Sequence, residues 1–569
     1  MQIDVDALVS AYQDVEFFLI CVAPKSEPVF NGSRTGKLSI IQTKNFWSIT
    51  STVSETGKGL ITPCATGHVL FRGYDSDLGI HSYSDSASIA LLNPGALSNG
   101  VYAYIQLDNT DQTAIVKNDP LGLAPLFYRK ADSGYFFASH PALIHFADDE
   151  LDLLAWMSML QNGLVAGDRS FYKPIHRVSA GTELKISGGL LHERTWFDFS
   201  ELPPGNEAID DIAFDVVEKA YVTGFEKLLA LETASRTLPF SSGYDSRRFF
   251  ASMIQRKVNF HAVTCQTFHR KKGKDYDIDS FYAPQIAGAF GVACELVLAS
   301  LPKDYAADSA HRMALIGTET FMHGWAVPLM KWLADRPMSI VFDGLGGDTL
   351  GNSGYEFEGL HISAKNDTAI LMSEMIDNRI FDHVSELFPS LKEFSSAYSA
   401  QLGKFPDNLN GAEMAFLQSR TRRCISPWIT MMHPPGQLVV FPYYDLGFVR
   451  ATLRYHPGEK YKWFFQKECL RRFYPDYFDH PGSRNLPADI IPLSEEKSKI
   501  LDKQAENFVF GSFSVVAGAL KFLTLKNKAL LLLLFAFSPL RKTRNWLFFP
   551  LLLLVKTHQG NIAFIKQTD

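Results

Sequence analysis

Two short apolar runs in the middle of this 569-residue chain each end in a small-residue turn that carries aspartate. In the first, Thr237-Leu238-Pro239-Phe240 leads into Ser241-Ser242-Gly243-Tyr244-Asp245-Ser246 and a helical stretch, Arg247 to Ile254. In the second, Ser339-Ile340-Val341-Phe342 leads into Asp343-Gly344-Leu345-Gly346-Gly347-Asp348-Thr349. Buried strand, turn and helix in alternation is the pattern of a parallel α/β sheet. Small residues at such a turn let backbone N–H groups approach a phosphate, and the helix N-terminus favours its charge. Ser241 and Ser246 can add hydroxyl donors, whereas the Asp245 carboxylate makes sense there if it holds Mg2+ against the phosphates. Taken alone, the first turn reads equally well as a Ser/Gly turn with Asp245 as a helix cap. The second turn favours a nucleotide pocket at the carboxyl edge of one sheet, with Asp245 and Asp348 sharing Mg2+. No G-K-[ST] follows, so neither turn is a Walker A loop.

Around these motifs the chain divides into three zones. Residues 1–200 hold short apolar runs broken by Gly, Asn, Asp and Pro, as in strand-rich structure; Val101 to Ile105 and Gly134 to Ala138 are strand candidates. The breaker-rich stretch Glu201 to Glu207 is read as the linker. Residues 209–500 carry helical patterns, Ile209 to Leu231 and Tyr282 to Phe290, and a further strand, His261 to Cys265. Residues 505–569 form an apolar and basic tail. Its runs Ala529 to Phe537 and Trp546 to Val555 are each about half of what a helix needs to cross a bilayer. Two readings stand for the tail: a helical hairpin packed on the protein or a partner, and peripheral membrane contact through Lys526, Lys528, Arg541, Lys542, Arg544 and Lys556.

Composition narrows the class. Hydrophobic residues are 46% and charged residues 20%, and the net charge of -6 argues against a nucleic-acid binder. Six scattered cysteines with no CxxC pair suit a reducing compartment and support neither a zinc site nor a disulfide framework. The acidic start, Met1 to Asp6, lacks the basic region of a signal peptide. A cytoplasmic enzyme is expected.

The first motif resembles the SGGxDS pyrophosphate loop of the asparagine synthetase family, with Ser242 in place of its first glycine. The second is similar to that family's SGEGxDE segment, which puts Asp348 at its second metal-binding aspartate. Phe441-Pro442-Tyr443-Tyr444-Asp445 and Lys460-Tyr461-Lys462 resemble its R-x-P-[FY]-L-D block and the basic segment that follows. Upstream, Asn118-Asp119-Pro120-Leu121-Gly122 through Tyr128, followed by Tyr135 to Ser139, resembles part of the family's glutamine amidotransferase domain. The resemblance implies an N-terminal Ntn-hydrolase-like β-sandwich and a C-terminal PP-loop parallel α/β domain with extra helices. It implies ATP and Mg2+ as cofactors, and amide-bond formation through an acyl-adenylate. The partners would be a small-molecule, sugar or peptide carboxylate and an amine or ammonia. Ser241, Ser242, Gly243 and Ser246 would hold pyrophosphate oxygens, Asp245 and Asp348 the metal, and Gly344 and Gly346 would let the nucleotide approach.

The pattern is departed from in two places. Gln2 stands where glutamine-using members carry their nucleophilic cysteine, and Cys21 lies in an apolar run that reads as a buried strand. Glutamine hydrolysis is therefore not expected, as in the related β-lactam synthetases and lasso-peptide cyclases. Leu345 stands where asparagine synthetases carry glutamate, and leucine moves no proton. The base then comes from elsewhere, with Tyr355, Glu356 and Glu358 close in sequence, or the nucleophile needs little activation. Among the lysines, Lys462 is expected beside the α-phosphate, with Lys460 as its competitor. The run His269 to Lys274 reads as a solvated loop in preference to a substrate clamp, and Arg420 to Arg423 as an acid-binding patch or as partners of helix carboxylates. A tRNA-thiolating enzyme would want a basic face and catalytic cysteines. A non-catalytic scaffold would keep the fold and lose the chemistry.

Overall fold

The computed structural model describes residues 1–569 apart from 13, 33–36, 54–58, 111–112, 272–273, 301–302, 322–325, 353–379, 403, 482–489, 537–540, 562 and 567–569. The chain is mixed α/β. Its first zone pairs two antiparallel sheets. One runs in the order Leu190–Thr195, Thr182–Ser187, Ala114–Asn118, Gly100–Asp108, Gly67–Asp75, Ile61–Pro63, with Ile80–His81 added to Gly67–Asp75. The other runs His176–Arg177, Phe127–Ala131, Gly134–Ala138, Phe18–Val22, Phe46–Ser51, Leu38–Gln42. Strand alternation sorts their side chains. Phe18, Ile20 and Phe137 share a core with Leu70, Ala103 and Ile105 of the first sheet. Leu19, Cys21, Trp47 and Phe136 point the other way, into a second core.

That second core is where the tail goes. Helices Glu495–Phe510, Phe513–Ala519, Leu525–Ala536 and Arg541–Gly560 follow one another, and Val516, Leu531 and Leu551 to Val555 are buried with Trp156 against the sheet's outer face. The first of these helices begins ten residues before the expected boundary at 505, with the Ser494 side chain accepting from Lys497 N as its cap. The last strand, Ile565–Lys566, pairs with Gln2–Asp4, which in turn pairs with Val29–Asn31. No helix among the described residues is long and apolar enough to cross a membrane.

The third sheet has five parallel strands in the order Cys294–Val297, His261–Cys265, Ser235–Pro239, Ser339–Phe342, Gln437–Val440. The first in sequence lies in the middle, so the winding direction reverses between Ser235–Pro239 and Ser339–Phe342. In open parallel sheets the crevice outside the carboxyl ends at that reversal is the place for a ligand. Packing does not stop at the linker: Leu238, Phe342 and Val440 belong to the same core as Ile20 and Ile105. The basic run expected as a loop is in part a hairpin, His269–Lys271 pairing with Lys274–Tyr276. Tyr355, Glu356 and Glu358 lie outside the described residues, as do Lys272 and Gly273.

Candidate functional site

Both glycine-bearing turns leave the sheet at the reversal point, and a cavity of about 690 Å3 opens between them. In the first, the helix Tyr244–Gln255 starts on Gly243 with no side-chain cap. The serines are tied to one another instead. Ser246 Oγ accepts from Ser241 N (3.1 Å) and donates to Ser241 O (3.0 Å), and Gly243 N donates to Ser241 Oγ (3.2 Å). Ser242, expected to offer its donors to pyrophosphate, gives both its N–H (2.9 Å) and its hydroxyl (2.8 Å) to Asp279 Oδ1. Behind the turn, the buried Arg247 guanidinium donates to the carbonyls of Ser242 (2.7 Å), His480 (2.7 Å) and Pro481 (3.0 Å).

The second turn packs directly on the first. A Cβ on Gly347 would lie 2.3 Å from Asp245 Oδ1, so only glycine leaves the space beside that carboxylate open. Gly346 has φ of +97°, a region that favours glycine, and a Cβ there would strike the Tyr444 ring at 2.8 Å. Gly344 lies against Asp245 Cβ and Ser246 N. Tyr443 donates its hydroxyl to Asp245 O at 3.3 Å, so the Phe441 to Asp445 block backs both turns.

Asp245 is half-buried and lines the cavity; Asp348 is exposed on the first turn of the π-helix Gly347–Gly351. A relay joins them. Gln466 Nε2 donates to Asp245 Oδ1 (3.3 Å), Gln466 N donates to Asn352 Oδ1 (2.8 Å), and Asn352 Nδ2 donates to Asp348 Oδ1 (3.1 Å). Arg248 fixes Gln466 from behind, donating to its Oε1 at 2.6 Å, and is itself ion-paired with Glu218. No group of three or more His, Cys, Asp or Glu side chains gathers as a metal site among the described residues. Two carboxylates and the space beside Gly347 fit a hydrated Mg2+ whose other ligands are water and phosphate oxygen.

Asp343, the first residue of the second motif, is no part of the expected site, yet it lines the cavity and is 8% exposed. Burial pushes its carboxyl up to about 7 against the lowering effect of the Leu345 N–H, which donates to Oδ1 at 2.8 Å. One signal marks it in the sequence: an aspartate stands where the SGEGxDE segment has serine. Asp279, Gln466 and Asn352 carried no such signal.

The lysines separate by burial. Lys460 is enclosed and donates to Glu413 (2.7 Å) and Leu350 O (3.2 Å), a structural pairing. Lys462 is exposed at the end of helix Pro457–Trp463 and is not among the cavity-lining residues. Two arginines of the 420–423 run pair with carboxylates: Arg422 with Asp168 and Arg423 with Glu319, each at 2.8 Å, with Arg177 sharing Glu319 at 3.0 Å. Arg422–Asp168 and Arg177–Glu319 knit the first zone to the second, and Arg423–Glu319 lies within the second.

In the first zone, Asp119 accepts from the N–H groups of Leu121, Leu123 and Ala124, which folds the Pro120–Pro125 turn. Cys21 is a packed thiol whose pKa burial raises. At the end of the sandwich facing the parallel sheet, Glu16 accepts from Arg72 (2.9 Å) and His433 (2.9 Å) and from the Tyr83 hydroxyl. About 30 Å3 of open space remains there.

Residues 95–197 match the family model of a glutamine amidotransferase domain, a span that begins just before Gly100–Asp108 and ends after Leu190–Thr195. No curated protein sequence matches the chain. Among solved structures, glutamine phosphoribosylpyrophosphate amidotransferase from B. subtilis complexed with ADP and GMP is 14% identical, over 60% of this chain and 73% of that one, with a TM-score of 0.22. A second, described as the allosteric regulatory enzyme of purine biosynthesis, is 11% identical over 51% and 76%, with a TM-score of 0.19. Superpositions at that level place no residue of this chain.

Proposed function

We propose that this chain forms amide bonds at the expense of ATP, in the manner of the asparagine synthetase family. The observation that carries the reading is the contact of Gly344 and Gly347 with Asp245 at the reversal point of the parallel sheet, beside a cavity of about 690 Å3. The amidotransferase-type match over residues 95–197 supports amide transfer as the broad chemistry. In the proposed reaction a carboxylate oxygen of the acid attacks the α-phosphorus of ATP, pyrophosphate leaves, and an amine or ammonia then displaces AMP. Activation is needed because oxide is a far poorer leaving group than AMP.

Ser241, Gly243 and Ser246 would offer donors to the pyrophosphate oxygens, and Ser242 would do so once released from Asp279. Asp245 and Asp348 would hold Mg2+, which when bound supplies positive charge against the phosphates. Lys462 would have to turn inward from its exposed position to neutralise charge at the α-phosphate. The chain would work without glutamine hydrolysis of its own, since Cys21 is packed in the core.

The test is the fate of oxygen. With 18O-labelled carboxylic acids, ATP and Mg2+, the reading predicts AMP and pyrophosphate, with one 18O transferred to AMP. Formation of ADP and phosphate would contradict it. A non-catalytic scaffold is the second reading, favoured by the engagement of Ser242 with Asp279; it predicts no acid-dependent turnover.

A further inference from the structure

The charge of the cavity is one-sided. Its titratable lining residues are Asp245, Asp279, Asp343, Cys265 and Tyr305, and no Lys, Arg or His lines it among the described residues. The rest of its wall, away from the two turns, is largely apolar or aromatic: Val263, Phe268, Tyr305, Leu329, Ile425 and Trp428. A cavity of this kind suits a cation with an apolar body.

Asp343, at the start of the second turn, is a carboxylate of this cavity with capacity to spare. It is nine-tenths buried, and Leu345 N is the one donor to its side chain among the described residues, leaving Oδ2 unpartnered. A carboxylate this enclosed is stabilised when a ligand adds a donor to the oxygen that the protein leaves unbonded.

We propose that this cavity takes a primary amine with an apolar or aromatic body, and that Asp343 binds its ammonium group and accepts its proton. The inference rests on the amide-forming reading and supplies the base that Leu345 cannot be. The Asp343 carboxylate takes one proton from the ammonium, leaving a neutral amine. The nitrogen lone pair forms a bond to the acyl-adenylate carbonyl carbon, the bond from that carbon to the phosphate oxygen breaks, and AMP leaves with the electron pair. The remaining extra proton on nitrogen passes to water, which yields the amide.

A carboxyl pushed up to about 7 by burial is ionised near neutrality and closer in basicity to an amine than an ordinary carboxylate is, which eases that transfer. The other groups facing it are Asp245 and Asp279 across the cavity, Tyr444 from the segment after Gln437–Val440, and His433, which shares a void of about 20 Å3 with it.

The experiment is calorimetry on the full chain with three probes of one shape: benzylammonium chloride, benzyl alcohol and phenylacetate. At pH 8 benzylammonium should bind, the alcohol about tenfold more weakly, and phenylacetate more weakly than the alcohol. Lowering the pH to 6 should weaken benzylammonium about tenfold as Asp343 gains a proton, and Asp343→Asn should abolish that pH dependence. The pH comparison needs no variant, so it stands even if Asp343→Asn misfolds. Equal binding of the alcohol, pH-independent binding, or no benzylammonium binding would overturn the proposal. Mg–nucleotide binding, measured on the same sample, keeps the two failures apart: its loss with amine binding intact contradicts the amide-forming reading alone.

Discussion

Gln466 reaches across 221 residues of sequence to donate its side-chain N–H to Asp245 Oδ1 at 3.3 Å. Its backbone N–H, through Asn352, also orients Asp348. One residue therefore sets both carboxylates proposed to hold Mg2+. Gln466→Leu keeps the volume and removes the side-chain donor to Asp245. We expect Mg2+-dependent nucleotide affinity to fall about tenfold, in line with a hydrogen bond to a charged group. Titration calorimetry with and without Mg2+ checks this; an unchanged affinity would show that Asp245 needs no such support.

Asp279 competes with any anion for the donors of Ser242. Asp279→Ala should tighten Mg–nucleotide binding by about tenfold, because a charge-assisted pair no longer has to be broken. Weaker binding would instead identify Asp279 as the group that positions the turn.

Glu16 is a stability element with a defined pH range. Burial alone would raise its carboxyl, but His433, Arg72 and Tyr83 hold it down to about 2 from 4.5. A depressed carboxylate contributes stability above its unfolded value and loses it as pH falls through the folded one. The native chain should therefore lose about 3 kcal/mol between pH 4.5 and 2 that Glu16→Gln does not lose over the same range. Chemical denaturation at several pH values measures it; parallel acid limbs for the two chains would contradict the assignment.

Asp343 has the opposite sign. Its folded value lies above that of an unfolded aspartate, so its effect is to favour the unfolded chain increasingly as pH rises towards 7. Asp343→Asn should be more stable than native at pH 8, by on the order of a few kcal/mol, and no more stable at pH 4. A variant less stable than native at pH 8 would mean that Asp343 supports the fold.

The strands of the parallel sheet could be read from the chain because they are short runs of β-branched and apolar residues bounded by breakers, as in His261–Cys265 and Ser339–Phe342. The two turns were readable for the same reason, since small residues mark where backbone must come close. What could not be read was whatever depends on which turn meets which. Asp279 lies 37 residues from Ser242 and Gln466 lies 221 from Asp245, and no local pattern announces either contact. The arginines of 420–423 were ambiguous because pairing with Asp168 and Glu319 is a property of the folded chain. Lys460 and Lys462 are two residues apart and alike in sequence, yet one is enclosed with Glu413 and the other exposed. Both readings of the apolar tail stayed open because the outer face of the second sheet, which Leu551 to Val555 cover, leaves no local mark in the sequence.

The central claim is a nucleotide site at the meeting of the two turns, and calorimetry with Mg2+ and α,β-methylene ATP tests it without knowledge of the acid. The native chain should bind in a Mg2+-dependent manner, and Asp245→Ala and Asp348→Ala should each lose that dependence. A native chain that is folded and shows no Mg2+-dependent binding would contradict the account.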